Sequence, residues 1–168
     1  TKELIDPYFR FKLFSGAKER KPRWKRAIQM EEGAMGEMLG QLYVKEFFNE
    51  KAKKRYTDMV EAIREALKDR IAKLTWMSDS TKQKAYTKLA TIKSKVGYPE
   101  KWKDFSSLSI SRESLAKNYM NANVFWHNYQ YNKLGKPVDR DEWDMTPQTY
   151  NAYYNPSNNE IVLPAGIF

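Results

Sequence analysis

Over residues 49–74, Ala52, Tyr56, Met59, Val60, Ile63, Leu67, Ile71 and Leu74 return at three- and four-residue steps, the period of one face of an α-helix. The residues between them, Lys53, Lys54, Arg55, Asp58, Glu61, Arg64, Glu65, Lys68, Asp69 and Lys73, make a mixed-charge outer face, with Asp69 and Lys73 four apart for mutual support. That face is read as solvated.

The same period continues on both sides. An earlier helix is expected to carry Met35, Met38, Leu39, Leu42, Tyr43 and Phe47 inward, with close packing explaining Gly33, Gly36 and Gly40. A third helix starts near Ser78, a good N-cap followed by Asp79. It buries Ala85, Leu89, Ile92 and Val96 and stops at Gly97 before Pro99. A fourth runs from about Ser111 through Leu115, Tyr119, Ala122, Trp126 and Tyr129 to Gly135, with Pro137 beyond. After Trp143 the character changes. Residues 149–154 and 160–163 are rich in β-formers and flank the turn composition Asn155-Pro156-Ser157-Asn158-Asn159, which predicts a β-hairpin. The expected fold class is therefore mostly α: a helical region over residues 1–140, then a β-hairpin in a region over 141–168.

A chain of 168 residues with 41% hydrophobic and 14% aromatic residues can bury a core. No run approaches the roughly 18 apolar residues of a membrane span, so no membrane contact by this segment is expected. The start at Thr1 and the end at Phe168, after Ile161-Val162-Leu163-Pro164-Ala165-Gly166-Ile167, are read as cuts.

There is no Cys, which removes disulfides and thiolate metal sites. The single His127, in Val124-Phe125-Trp126-His127-Asn128-Tyr129, has no second His or neighbouring Glu at metal spacing and cannot close the common zinc sites. It is read as an ordinary helix residue, and no metal ligand is assigned. Neither a Gly-x-Ser-x-Gly elbow nor a phosphate-cradling Gly-rich loop is present, so no catalytic residue is assigned either. With a net charge of +9, the run Lys18-Glu19-Arg20-Lys21-Pro22-Arg23-Trp24-Lys25-Arg26 is the best local argument for nucleic acid. It lacks a nucleic-acid fold signature, and cationic runs before a helix are usually solvated, so nucleic acid is not expected as a partner. The rival function is a stand-alone basic helical module binding nucleic acid or a protein. The strand over residues 151–154 offers something else: an exposed edge can hold an extended peptide.

The stretch Asn151-Ala152-Tyr153-Tyr154-Asn155-Pro156, followed by Asn159-Glu160-Ile161-Val162-Leu163-Pro164-Ala165-Gly166-Ile167, closely resembles the segment preceding the zinc motif in the neprilysin and endothelin-converting-enzyme family of zinc metallopeptidases. Upstream stretches agree in order: Pro22-Arg23-Trp24-Lys25-Arg26, Leu42-Tyr43-Val44, Trp76-Met77-Ser78, Gly97-Tyr98-Pro99 and Leu134-Gly135-Lys136-Pro137-Val138-Asp139-Arg140 with Trp143.

The resemblance implies that residues 1–140 are the latter part of the family's α-domain with its connecting helices, and that 141–168 start a thermolysin-like catalytic domain. It implies that Asn151 and Ala152 bond the backbone of a peptide substrate, through the Asn side chain and the alanine carbonyl, and that Ile167 lines the subsite after the scissile bond. It implies zinc in the intact enzyme, bound by a downstream His-Glu-x-x-His helix and a later Glu outside this chain, so that this segment alone is inactive. The expected partners are peptide substrates and the rest of the same polypeptide. Ala27 stands where mammalian relatives carry Cys, which implies a bacterial member with a periplasmic, cell-envelope or secreted location.

Overall fold

The computed structural model describes residues 2–13, 16 and 18–168. Thr1, on which the expectation of a cut start falls, lies outside them. The chain divides into two compact units, Thr1–Ala34 and Met35–Phe168. The first holds helix α1 (Lys2–Leu13) and the opening turns of α2 (Arg23–Phe47). The second begins where α2 breaks, at Met35, whose φ of −142° and ψ of 29° are not helical.

Past the break, α2 turns a different face inward from the one expected. Gly36, Glu37 and Gly40 are buried, whereas Met38, Leu42 and Phe47 are exposed. The covering element is a loop rather than another helix. A Cβ on Gly40 would lie 2.7 Å from Pro147 Cδ, so only glycine admits the proline ring there. Gln148 Nε2 donates to Gly36 O at 2.7 Å. The Glu37 carboxylate receives the Lys103 backbone N–H at 2.5 Å and Lys103 Nζ at 2.7 Å. Glycine clears the space, and the buried charge is paired as burial requires.

Helix α3 (Glu50–Ala72) matches the expected helix, capped by Asn49 Oδ1, which accepts from Ala52 N at 2.9 Å. Its stripe is only partly covered: Val60 is buried, while Met59, Ile63 and Leu67 are exposed. Arg64, assigned by pattern to the solvated face, instead points inward. Its guanidinium donates to the carbonyls of Leu89 at 2.8 Å and Ile92 at 2.9 Å, and to Glu61 Oε2 at 2.9 Å. It thereby satisfies the end of α4 (Asp79–Ala90), which is capped at its start by Ser78.

The expectation that this third helix continues to Gly97 fails. The chain leaves α4 at Thr91, and Lys93–Gly97 form strand β1. The reason is tertiary: β1 pairs in parallel with β3 (Glu160–Pro164), Lys93 opposite Glu160 through to Gly97 opposite Pro164, which overrides the local helical spacing. Gly97 has φ +80°, and a Cβ there would come 2.4 Å from Phe48 Cε1, so glycine is required.

Helix α5 (Leu115–Tyr131) begins after Ser114, later than Ser111. Ser111 is held outside it by Asn118, whose Oδ1 accepts from Ser111 N at 3.0 Å and whose Nδ2 donates to Ser111 O at 2.6 Å. Ala122 is buried, and Phe125 stacks on Phe105 with centroids 5.0 Å apart, whereas Leu115 and Tyr119 stay exposed. The hairpin forms as expected but is shorter. Strand β2 (Tyr153–Asn155) pairs antiparallel with β3, and the sheet order is β1-β3-β2. The result is mostly α, with five α-helices and a small three-stranded sheet among the described residues.

Candidate substrate-binding edge

Central position dictates the chemistry of β3. Glu160, Val162 and Pro164 are buried on one face by the two-residue alternation of a strand. Strand β2 covers one side of β3, and its own outer side pairs with no strand among the described residues. Asn151 and Ala152 lead into this edge. Asn151 is exposed, its backbone N–H turning back to Thr149 O at 2.9 Å, and its Oδ1 accepts from Ala152 N at 2.8 Å. That bond fixes the Asn151 amide relative to the strand. Ala152 is half-buried.

Side chains of the hairpin anchor it to neighbouring elements. Tyr153 OH accepts from Asp144 N at 3.0 Å, and burial pushes the phenol above its usual range. Tyr154 OH donates to Asn159 Oδ1 at 2.9 Å, and Asn159 Nδ2 donates to Lys88 O at 3.0 Å and to Thr91 Oγ1 at 2.9 Å. Asn159 sits at φ 48°, a left-handed position that asparagine tolerates. One residue thus closes the hairpin and ties it to the end of α4.

Ile167 lies in the 3-10 turn Ala165–Ile167 that follows β3, 37% exposed. It is linked to the Asn151 segment through Gly166 N, which donates to Pro147 O at 2.8 Å. Phe168 stacks on Tyr56, centroids 3.9 Å apart. The structure therefore brings Asn151 and Ala152 together and attaches Ile167 to the loop that leads into them.

Sequence reasoning missed the buried ion pair behind this edge, Lys95 and Glu160, and the half-buried Glu142 and Lys133 beside it. Lys95 Nζ lies 2.8 Å from Glu160 Oε2 and donates to Glu142 O at 2.6 Å. Glu142 accepts from Lys133 Nζ at 2.7 Å and from Tyr129 OH at 3.1 Å. Burial, then the Glu142 carboxylate, raises the Tyr129 phenol above its usual range. In the sequence these residues look like solvated charges, and only strand pairing reveals that they face inward.

The basic run opens α2 in the first unit. Trp24 is exposed with Lys25 Nζ 5.3 Å from its ring centroid, and Arg26 Nε donates to Lys21 O at 3.1 Å. His127 is exposed, its ring 6.2 Å from that of Tyr131. Among the described residues, no three His, Cys, Asp or Glu converge as ligands for a metal ion. The donor set of these residues does not fit a zinc site. Among them, too, no helix is long and apolar enough to cross a membrane.

This arrangement, a helical body carrying a small sheet with an open edge, has clear relatives. Residues 1–99 match the model of peptidase family M13. The chain is 37% identical to a neutral endopeptidase of Lactobacillus helveticus over 91% of its own length and 24% of that protein's. It is 35% identical to human endothelin-converting enzyme 1, over 87% of its length and 20% of that protein's. The Mycobacterium tuberculosis zinc metalloprotease Zmp1, solved with an inhibitor, superposes with a TM-score of 0.89 at 44% identity, covering 99% of this chain and 25% of that one. The chain belongs to peptidase family M13, the family of its neprilysin and endothelin-converting-enzyme relatives. It spans about a fifth to a quarter of their length.

Proposed function

We propose that this chain supplies substrate-holding elements to a zinc-dependent metalloendopeptidase that hydrolyses oligopeptides. Residues 1–140 then belong to the α-domain, and 141–168 open the thermolysin-like catalytic domain. Asn151 presents its amide, and Ala152 its carbonyl, to the backbone of an extended peptide lying along β2, and Ile167 lines the subsite after the scissile bond. The zinc ligands and the general base would fall on other parts of such a polypeptide, and zinc held there would supply the Lewis acidity for peptide hydrolysis. The same reading makes the intact enzyme a bacterial protein of the periplasm, envelope or cell exterior. Its partners are peptide substrates and the remaining polypeptide, and the charge of +9 gives only salt-sensitive, non-specific attraction to nucleic acid.

The observation that carries this proposal is the position of Asn151 and Ala152 at the head of an edge strand whose inner side is fully paired while its outer side pairs with no strand among the described residues. A peptide added there gains main-chain hydrogen bonds without rearranging the sheet. In the full-length enzyme, Asn151→Ala is expected to lower kcat/KM about five- to 150-fold, the loss of roughly 1 to 3 kcal/mol of polar pairing, at unchanged zinc content and Tm. Equal efficiencies at matched zinc content would make Asn151 a hairpin residue only. The 168-residue chain by itself should hold no stoichiometric zinc, and one tightly bound zinc per chain in metal analysis would refute the placement of the ligands elsewhere.

A further inference from the structure

We propose that Lys95 and Glu160 are positioning residues for the peptide-binding edge, an inference that rests on the role given above to Asn151 and Ala152. Their side chains are almost completely buried, at 4% and 1% exposure, and the ammonium and carboxylate meet at 2.8 Å. A buried ion pair is a poor source of stability, because desolvation of both charges offsets their attraction and apolar residues of similar volume hold such a site as well. What it does supply is register.

Lys93 pairs with Glu160 and Lys95 with Val162, so the ion pair runs diagonally across two steps of the β1/β3 ladder. Sliding β3 by one residue would turn Glu160 to the opposite, half-buried face and leave the buried Lys95 ammonium without its carboxylate. The pair therefore selects one alignment of β3 on β1.

That alignment is passed outward. Asn155 pairs with Glu160 and Tyr153 with Val162, so β2 takes its position from β3, and Ala152 immediately precedes Tyr153. Inward, Lys95 Nζ also donates at 2.6 Å to Glu142 O, in the connector between α5 and β2, and the Glu142 side chain is held by Tyr129 of α5 and by Lys133 just beyond it. The same connector carries Asp144, whose N–H donates to Tyr153 OH. Lys95 thus joins the connector, β1 and β3 at one ammonium, and the edge strand is fixed to this group at two points.

The test uses the full-length peptidase and a short peptide substrate. Removing only Lys95 leaves a buried unpaired carboxylate, so the informative variant is the double replacement Lys95→Met with Glu160→Leu. It is expected to fold, with wild-type zinc content and a Tm lowered only by loss of the Lys95 donation to Glu142 O, while KM rises about five- to tenfold and kcat changes less than twofold, the signature of lost substrate binding without lost chemistry. Glu160→Gln, which keeps an oxygen for Lys95, is expected to hold KM within about twofold of wild type. Wild-type KM in the double variant, beside a lowered kcat/KM in Asn151→Ala, overturns the inference and leaves the substrate strand standing. A double variant that fails to fold makes the pair a stability element and overturns it equally. If Asn151→Ala itself leaves kcat/KM unchanged, the substrate-strand reading fails and this inference fails with it.

Discussion

Strand β3 and helix α3 belong to the same compact unit and each carries an apolar face, yet they treat it in opposite ways. Along β3 the inward residues are sealed: Val162 is 0% exposed, and even the charged Glu160 is buried with a partner. Along α3 only Val60 reaches burial, while Met59, Ile63 and Leu67 are 44%, 52% and 45% exposed, and the inward place beside them goes to Arg64. Sequence pattern marks a face as apolar, but burial is decided by which element arrives to cover it. Strand β3 is flanked on one side by β1, from more than sixty positions away, and on the other by its own hairpin partner β2. The helix meets the end of α4, the neighbourhood of β1 and, through Tyr56, the ring of Phe168.

The sharpest way to break this contrast is at Gly97. Positive φ and the 2.4 Å approach to Phe48 act together, so Gly97→Ala should lower the unfolding free energy by about 2 to 5 kcal/mol. Gly33→Ala, with nothing within 4 Å of its would-be Cβ, is expected to be neutral or to stabilise by up to about 1 kcal/mol. Urea denaturation of the two variants compares them directly. Equal effects would mean that the sheet end is no more constrained than the open helix.

Much of this fold was legible beforehand, for identifiable reasons. Helix α3 and the starts of α3 and α4 could be read because Asn49 and Ser78 cap locally and the 3.6-residue period is uninterrupted. The hairpin was legible from its turn composition, while the roles proposed for Asn151 and Ala152 rest on the family resemblance of the stretch they begin. Strand β1 was not, since Lys93-Ser94-Lys95-Val96-Gly97 carries no alternation of apolar residues and becomes a strand only through β3, more than sixty positions away. The inward turn of Arg64, Lys95 and Glu160 was hidden for the same reason. A charge looks solvated until its distant partner is known. The inner face of α2 was misread because glycines facing a proline loop leave no hydrophobic signature.

Two intermediate effects sharpen the comparison. Val162→Ala should cost about 1.5 to 3 kcal/mol, the worth of a fully buried valine, in the same denaturation assay. Asn159→Ala removes two donations to the end of α4 and places alanine at positive φ, with an expected loss of about 1 to 2 kcal/mol. If Asn159→Ala were silent, the hairpin would be held by the β1/β3 ladder alone, and its side-chain anchors would be decoration.

The smallest expected effect tests the helix side. Ile63 and Leu67 lie four apart on α3, both about half exposed, with charged neighbours in sequence. Replacing them by glutamine removes apolar surface that water already reaches, and glutamine is as good a helix former as leucine. Neither a cavity nor an unpaired buried group results. Ile63→Gln and Leu67→Gln should therefore each change the stability of the 168-residue chain by less than about 0.5 kcal/mol, and the pair should be additive within that margin. The variants should also sediment as wild type does. A loss of about 2 kcal/mol or more in either variant, or a wild-type chain that associates and loses this on substitution, would show that the α3 stripe is covered in solution. The contrast with β3 would then lie in which surfaces the single chain buries by itself, since both faces would be sealed when the protein is at work.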